Sequence, residues 1–306
     1  MMKKINLLMF LYLAIVLFGA CSNDEDVSPS FADANKFAPI AEDQSEEASL
    51  RRSFYEKNKC YLLFNDTLRK VQTGVDEQGH PLYELKLLDI TYDMFSSSAT
   101  DYYRYTYDYI SSIEDKRKAA KLVEDNLIRR LGTNTPFSVL LVNKMTSWKS
   151  RDGEWQQKSN LNYYMGSQCY VISLSEGEAF DNPSYFSDIL QKIVLAKVKL
   201  KGDSFLKDFY ALVDNYDNLT SGWYYKDDLG YPLGYDDDLA RSLGFMRDGS
   251  KWSFRYKEYD VSDFVTAVFT YSQEEFEETF ADYPICIARF NKMKELIESM
   301  GIIVDE

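Results

Sequence analysis

The sequence predicts an α+β fold, in which a mixed β-sheet is followed by a helical C-terminal half. Short β-type apolar runs occur at Cys60 to Phe64, Phe137 to Val142 and Gln168 to Leu174. We expect the last two runs to be neighbouring strands of one sheet. After Pro183 the apolar residues are spaced as on helices, first between Phe186 and Leu200. Strands followed by a run of helices are typical of α+β domains.

Local signals in the first half predict where individual elements begin and end. Ser111 and Glu114 have the spacing of a capping box, in which the serine accepts from the first turn and the glutamate bonds back. The helix behind them has apolar residues at helical spacing and ends near Gly132. The other elements predicted here are a helix from Ser49 to Lys57, a strand from Tyr83 to Tyr92 and a turn at Asp152-Gly153.

The second half is predicted to be built from helices. The segment from Phe186 to Leu200 is apolar on more than one helical face, which indicates a helix buried in the centre of the domain. Ser272 and Glu275 form a second capping box, and a helix from Ile285 to Met300 ends at Gly301. Two further helices are expected at Phe205 to Val213 and Val261 to Tyr271.

Residues 1–20 have the pattern of a secretory signal of the lipoprotein type. Lys3 and Lys4 give a positive start, and the run from Ile5 to Ala20 is apolar apart from one asparagine. Small residues then stand directly before Cys21, where a lipoprotein carries its diacylglycerol. We therefore predict lipidation of Cys21. A membrane-spanning helix is the alternative, but about 16 apolar residues fall short of the roughly 20 required.

Residues 21–47 are predicted to be a flexible acidic tether, and residues 48–306 a single folded domain. The tether begins with Ser22-Asn23-Asp24-Glu25-Asp26, which resembles the export tag of some Gram-negative surface lipoproteins. A solvated linker without such a signal is the alternative. We therefore expect a lipid-anchored protein of the outer membrane that faces outward.

The charge of the chain argues against nucleic acid as a partner. The sequence has a net charge of −14, and removal of its two signal-peptide lysines leaves 33 basic and 49 acidic groups, a net of −16. Such a surface repels phosphate backbones and anionic lipids. Membrane attachment is therefore expected to depend on the acyl chains of the lipidated cysteine.

The sequence lacks the residue patterns of common catalytic sites. His80 is the only histidine, and its surroundings, Gln78-Gly79-His80-Pro81, are typical of an exposed turn. There is no HExxH, no G-x-S-x-G, no P-loop and no G-x-G-x-x-G. Cys60, Cys169 and Cys286 are predicted to be buried or free thiols, because a chain this long needs no disulfide support. Carboxylate pairs remain, but 49 acidic residues make chance pairs frequent.

Short segments of the C-terminal half resemble a known lipoprotein family. They are Ser221-Gly222-Trp223, Leu239-Ala240, Leu243-Gly244-Phe245, Asp263-Phe264-Val265 and Ser272-Gln273-Glu274-Glu275-Phe276. In this order they resemble the substrate import-associated zinc metallohydrolase lipoproteins, a group of zinc-binding metallopeptidases. The resemblance covers about residues 48–306 and is specific from Ser221 to Phe276. It implies a zincin-like fold, an HExxH helix after the sheet, a downstream D-F-x-E element and association with TonB-dependent outer-membrane importers.

Two departures from the family pattern bear on activity. Between Phe186 and Leu200, where the resemblance implies the zinc helix, only Asp188 is acidic and there is no histidine. Thr266 stands where the family has a glutamate after Asp263-Phe264-Val265. Zinc sites need about three imidazole, thiolate or carboxylate ligands. We therefore predict a metallopeptidase-like pseudoenzyme that has lost its metal and uses no cofactor.

Three hypotheses of function follow from these observations. The favoured one is an accessory lipoprotein of a nutrient importer, which binds a TonB-dependent transporter with its surface lipoprotein, or the cargo. The second is a glycan-binding or peptide-binding module, and the third is a hydrolase that uses carboxylates without zinc. The candidate ligand or partner surface comprises Trp223, Tyr224, Tyr225, Tyr231 and Tyr235. Chance clustering is the alternative interpretation, because aromatic residues form 15% of the chain.

Acidic residues lie close to these aromatic residues in the sequence. Asp227, Asp228 and Asp236-Asp237-Asp238 offer oxygen ligands to calcium, but their spacing matches no EF-hand loop. A solvated acidic loop is the simpler interpretation.

Overall fold

The computed structural model describes residues 35–90, 103–151, 153–174 and 184–304. These residues form a mixed α/β fold with a mixed sheet, and helices make up the C-terminal half. The strands are β1 (Tyr61–Leu63), β2 (Thr67–Val75), β3 (Pro81–Leu87), β4 (Tyr103–Tyr109), β5 (Ser138–Arg151), β6 (Glu154–Leu161), β7 (Tyr163–Met165) and β8 (Cys169–Ser173). The helices are α1 (Glu46–Asn58), α2 (Ile113–Val123), α3 (Tyr185–Lys201), α4 (Lys207–Tyr210), α5 (Tyr216–Thr220), α6 (Asp237–Ser242), α7 (Lys257–Thr270), α8 (Gln273–Thr279) and α9 (Pro284–Ser299). Helix α2 continues through a π-helical turn (Glu124–Ile128) and a last turn at Arg129–Leu131.

The long strand β5 organises the main sheet. Its first half pairs in parallel with β1 and β8, so that Val139 lies beside Leu62 and Tyr170. Its second half pairs with β4 and β6, both antiparallel. Strand β7 adds to β8 in an antiparallel direction, and β2 and β3 form a separate two-stranded hairpin. The predicted pairing of the runs 137–142 and 168–174 is confirmed as β5 and β8.

Both faces of the sheet are buried where β5 runs parallel to its neighbours. Val139 and Leu141 pack in the larger core with α2, α3, α7 and α9. Leu140 and Val142 face the other way and pack in a second cluster with Val171. A continuous apolar run is expected for a strand covered on both faces.

Helix α3 is the buried central helix that the sequence predicts. Ile189, Ile193 and Val194 are buried in the larger core. Leu200, near its C-terminal end, is 87% exposed. The helix stops at Gly202, whose φ of +74° suits glycine.

The described fold begins before the predicted boundary at residue 48. The Arg51 guanidinium donates to the carbonyl oxygen of Phe37 at 2.9 Å, and that of Arg52 donates to the carbonyl oxygen of Asp43 at 2.7 Å. The described residues from Phe37 onward belong to one compact unit. The predicted flexible tether therefore extends too far, because two arginines of α1 hold residues 37–43 against the domain.

Several predictions lie outside the described residues. They are the signal at residues 1–20, the lipidation of Cys21, the acidic tag at residues 22–26, the end of the predicted strand at Tyr92, and Asp152 of the predicted turn. Within the described ranges, no helix combines the length and the apolar character that crossing a bilayer requires.

Other element predictions need correction. The first capping residue is Ser112, which accepts from the backbone N–H of Asp115, so the predicted pair Ser111 and Glu114 is wrong by one residue. The predicted helix from Phe205 to Val213 shortens to α4. The second capping box, Ser272 with Glu275, is confirmed.

A C-terminal segment completes the large core. The backbone N–H of Ile303 donates to the carbonyl oxygen of Arg130 at 2.9 Å, and the Arg130 guanidinium donates to the carbonyl oxygen of Val304 at 2.6 Å. Gly132 has a φ of +53°, and a Cβ there would lie 2.1 Å from the Gly301 carbonyl oxygen. Only glycine allows this close approach of the two chain segments.

Candidate functional site

The loop between α5 and α7 is built around a fully buried lysine. Lys226 has no exposed surface, and its Nζ donates to the carboxylate of Asp248 and, at 3.0 Å, to the carbonyl oxygen of Gly234. Asp248 also accepts from the backbone N–H of Asp236 at 3.0 Å. The ammonium lies 4.9 Å from the centroid of the Phe254 ring. A buried charge that is paired and hydrogen-bonded in this way fixes the loop that surrounds it.

The predicted aromatic residues lie on this loop and differ in exposure. Trp223 is 89% exposed and Tyr235 is 79% exposed, while Tyr224 and Tyr225 are about half exposed. Tyr231 is half-buried, and its ring packs edge-on against Phe254 at 5.2 Å. Tyr231 therefore supports the inside of the loop, and the other four present their rings to solvent.

Three further exposed aromatic residues, which sequence reasoning missed, lie on the same part of the chain. Trp252 packs edge-on against Tyr225 with 6.1 Å between ring centroids, and Tyr256 lies 6.3 Å from Tyr259. The alternation of aromatic and polar residues from 252 to 259 was the available signal. We call the seven exposed residues the aromatic platform: Trp223, Tyr224, Tyr225, Tyr235, Trp252, Tyr256 and Tyr259.

Backbone contacts join the segments that carry the platform. The backbone N–H of Lys226 donates to the Trp252 carbonyl oxygen at 2.7 Å, and that of Gly234 donates to the Lys251 carbonyl oxygen at 2.8 Å. A Cβ on Gly222 would lie 2.0 Å from a ring carbon of Tyr256, so Gly222 lets these segments touch. Six platform residues are therefore carried by one hydrogen-bonded loop, and Tyr259 lies in the first turn of α7.

A second buried charge network links α5, α7 and α9. The Arg289 guanidinium donates to both carboxylate oxygens of Asp260, at 2.6 and 3.1 Å, and to the Gly244 carbonyl oxygen at 2.8 Å. Tyr216 donates its hydroxyl to Asp260 at 2.7 Å, and burial raises the pKa of this phenol. Because every one of these groups is buried, the network serves packing and not chemistry at a surface.

The acidic residues of the loop are engaged in local hydrogen bonds. Asp236 caps α6 by accepting from the backbone N–H of Leu239, and Asp228 accepts from that of Tyr225. Asp237 accepts from the backbone N–H of Asp248. In the described part of the chain, no three His, Cys, Asp or Glu residues are grouped so that they could hold a metal ion. The carboxylates therefore shape the loop, and calcium binding has no support in their arrangement.

The residues at the positions implied for zinc do not fit that metal. Asp188 of α3 is exposed, and the buried side chains of this helix from Ile189 to Val198 are aliphatic. Thr266 is exposed on α7, and Asp263 is paired with the guanidinium groups of Arg247 and Arg255. An aliphatic helix face and a single hydroxyl cannot supply the ligands of a zinc site.

The cysteines and the histidine do not replace the missing zinc ligands. The three thiols are free and buried, and burial raises the pKa of Cys60, Cys169 and Cys286. A raised pKa favours the thiol over the thiolate that binds metals. His80 lies exposed in the β2–β3 turn, as predicted, with its ring nitrogen 3.0 Å from Asp76.

Comparison with known proteins gives no match: no protein-family model, no curated protein and no solved structure matches this chain.

Proposed function

We propose that this chain is an outer-membrane surface lipoprotein, anchored through Cys21, that serves a TonB-dependent nutrient importer as an accessory binding protein. It would have a zincin-like, metallopeptidase-like fold without the metal chemistry, and would bind the transporter or its cargo. The observation that carries the proposal is the aromatic platform on a loop fixed by the buried Lys226–Asp248 pair.

Exposed aromatic rings on a fixed loop favour binding for a physical reason. Trp and Tyr dominate binding energy at protein interfaces, because each buries a large area on contact. A loop that is already ordered loses little conformational entropy when a partner binds. The exposed Trp223 ring is therefore the first candidate for an anchor of the interface.

Side chains around α3 support a binding role over a hydrolytic one. Helix α3 follows β8, which is the order in which the resemblance implies the zinc helix after the sheet. Its buried side chains from Ile189 to Val198 are aliphatic, and together with the hydroxyl of Thr266 they lack the groups that activate water. The hypothesis of a hydrolase without zinc would need a pair of free carboxylates, and the loop aspartates are engaged in hydrogen bonds.

A glycan or peptide ligand is the second candidate function. The observation that favours it is the position of Asp227 and Asp228 beside Tyr225, because aromatic faces with nearby carboxylates suit sugar rings and polar ligands. In that case the same platform would bind cargo directly and no transporter would be retained.

A pull-down from detergent-solubilised outer membranes tests the proposal. Wild-type protein is expected to retain a TonB-dependent transporter, quantified by mass spectrometry, and Trp223→Ala and Tyr225→Ala are each expected to reduce it about tenfold or more. Tyr83→Ala, an exposed tyrosine on the β2–β3 hairpin, is the matched control and should behave as wild type. Unchanged retention by both platform variants, at wild-type melting temperature, would contradict the proposal.

A further inference from the structure

A cavity of about 540 Å³ lies beside the C-terminal half of α3. Its apolar walls come from Ile193 and Ala196 of α3, from Pro136 before β5, and from Met165 at the end of β7. Cavities of this size are typical of small-molecule sites, which combine apolar walls with a few polar groups. The aromatic platform contributes no residue to it, so it is a separate site.

One charged residue, Lys197, is found among the described residues that line the cavity. Its side chain is half-buried, and no hydrogen bond or ion pair joins its Nζ to another described residue. Burial and the neighbouring Lys201 both lower the pKa of Lys197. The ammonium is thus partly removed from water without receiving a counter-charge, which costs free energy.

Two other lysines that lie away from water are paired. Lys226, fully buried, donates to Asp248, and Lys116, mostly buried, donates to Glu47 at 2.6 Å. Among these lysines, Lys197 alone faces a cavity with no carboxylate from the described residues. In a chain with a net charge of −14, the lining of this cavity carries a positive charge.

Tyr170 adds a second donor to the lining. Its side chain is half-buried, and its hydroxyl has no hydrogen-bond partner among the described residues. Burial raises the pKa of this phenol, so it keeps its proton and can donate. An ammonium and a phenol hydroxyl in an apolar cavity complement a carboxylate that is attached to an apolar group.

We propose that this cavity binds a small organic carboxylate, with its carboxylate on Lys197 and Tyr170 and its apolar part against Ala196 and Met165. The ligand is free in solution and binds by an ion pair, hydrogen bonding and burial of apolar surface. This site is independent of the platform and of the proposed importer role.

Isothermal titration calorimetry with four probes tests the proposal: decanoate, 4-phenylbutyrate and the primary amide of each. We expect at least one carboxylate to bind the wild type, and its amide to bind about tenfold more weakly or worse. Lys197→Met is expected to weaken the carboxylate by about the same factor, and Lys197→Arg to retain it. Tyr170→Phe should weaken it by a smaller factor.

Lys199→Met is the matched control, because Lys199 lies on the same helix, is exposed and does not line this cavity. Its affinity should equal that of the wild type, and all variants should melt at or above the wild-type temperature. The proposal is overturned if neither carboxylate binds the wild type. It is also overturned if the amides bind as tightly, or if Lys199→Met loses as much affinity as Lys197→Met.

Discussion

Lys226 shows how one charged side chain can determine the shape of a loop. Its ammonium is completed by the Asp248 carboxylate, a carbonyl oxygen and an aromatic face, all inside the protein. Removal of either charge leaves the other buried without a partner. This lowers the free energy of unfolding more than removal of both charges does.

We therefore predict that Lys226→Met lowers the free energy of unfolding by about 3 to 5 kcal/mol. This is a large part of a typical total stability of about 5 to 15 kcal/mol. The double variant Lys226→Met with Asp248→Leu should recover much of the loss, because no unpaired charge remains. Urea unfolding of wild type, both single variants and the double variant measures the coupling. Additive losses in the double variant would show that the ion pair does not organise the loop.

Ile193 tests the buried position of α3. Ile193→Asp should leave the domain unfolded, because an unpaired carboxylate in the core costs several kcal/mol. Leu200→Asp, seven residues further along the same helix at an exposed position, should fold as the wild type does. Circular dichroism and thermal melting show whether each of the two variants is folded. A folded Ile193→Asp variant would mean that this face of α3 is not core.

At the same scale, the sequence predicts some site residues better than others. Trp223, Tyr224, Tyr225 and Tyr235 were identified from local clustering, and their side chains are exposed. The roles of Tyr231 and Lys226 could not be predicted, because each depends on a contact with a residue at 248 or 254. A sequence shows that such residues are close along the chain, but it does not show which long-range partner removes them from water.

At the scale of elements, the cap of α8 is a local signal with a measurable contribution. Ser272→Ala should destabilise the protein by about 1 kcal/mol, since the backbone N–H of Glu275 loses its acceptor. Ser53→Ala, on the exposed face of α1, should change stability little, because Ser53 does not cap its helix. Chemical denaturation compares the two, and an equal loss in both would contradict the role of the cap.

The capping box also predicts a dependence on pH. The Ser272 backbone N–H donates to Glu275 and lowers the pKa of that carboxyl. Its contribution to stability is therefore complete above the unfolded pKa of about 4.3 and is lost as pH falls through the lower folded value.

The strands were less predictable than the helices. The runs that became β1, β5 and β8 are apolar, and their pairing buries both faces of the sheet. Strand β4 alternates tyrosines with polar residues, and β6 is mostly polar. Both pair with the second half of β5, where most of β6 is exposed. Their pairing depends on the backbone of β5 and not on an apolar pattern, so periodicity could not find them.

At the scale of the whole molecule, the predicted lipid anchor decides whether the protein stays in the membrane fraction or is released from it. Cys21→Ser should abolish incorporation of a palmitate analogue and release the protein from the membrane fraction, because the acidic surface offers no second attachment to anionic lipid. Metabolic labelling and fractionation of the wild type and this variant provide the measurement. Equal labelling of the two proteins would exclude Cys21 as the lipidated residue.

The contact between Arg130 and Ile303 has a consequence for how the chain folds during translation. These residues are 173 positions apart, and their neighbours Leu131, Ile302 and Val304 lie in one core. A ribosome makes the chain from its N-terminus. The last turn of α2, which contains Arg130, is therefore made long before residues 302–304, which pack against it. Contacts over such separations are slow to form, and incomplete chains expose apolar surface to proteases and chaperones. Until residues 302–304 are made, the apolar surface that Ile302 and Val304 cover in the folded domain therefore stays exposed.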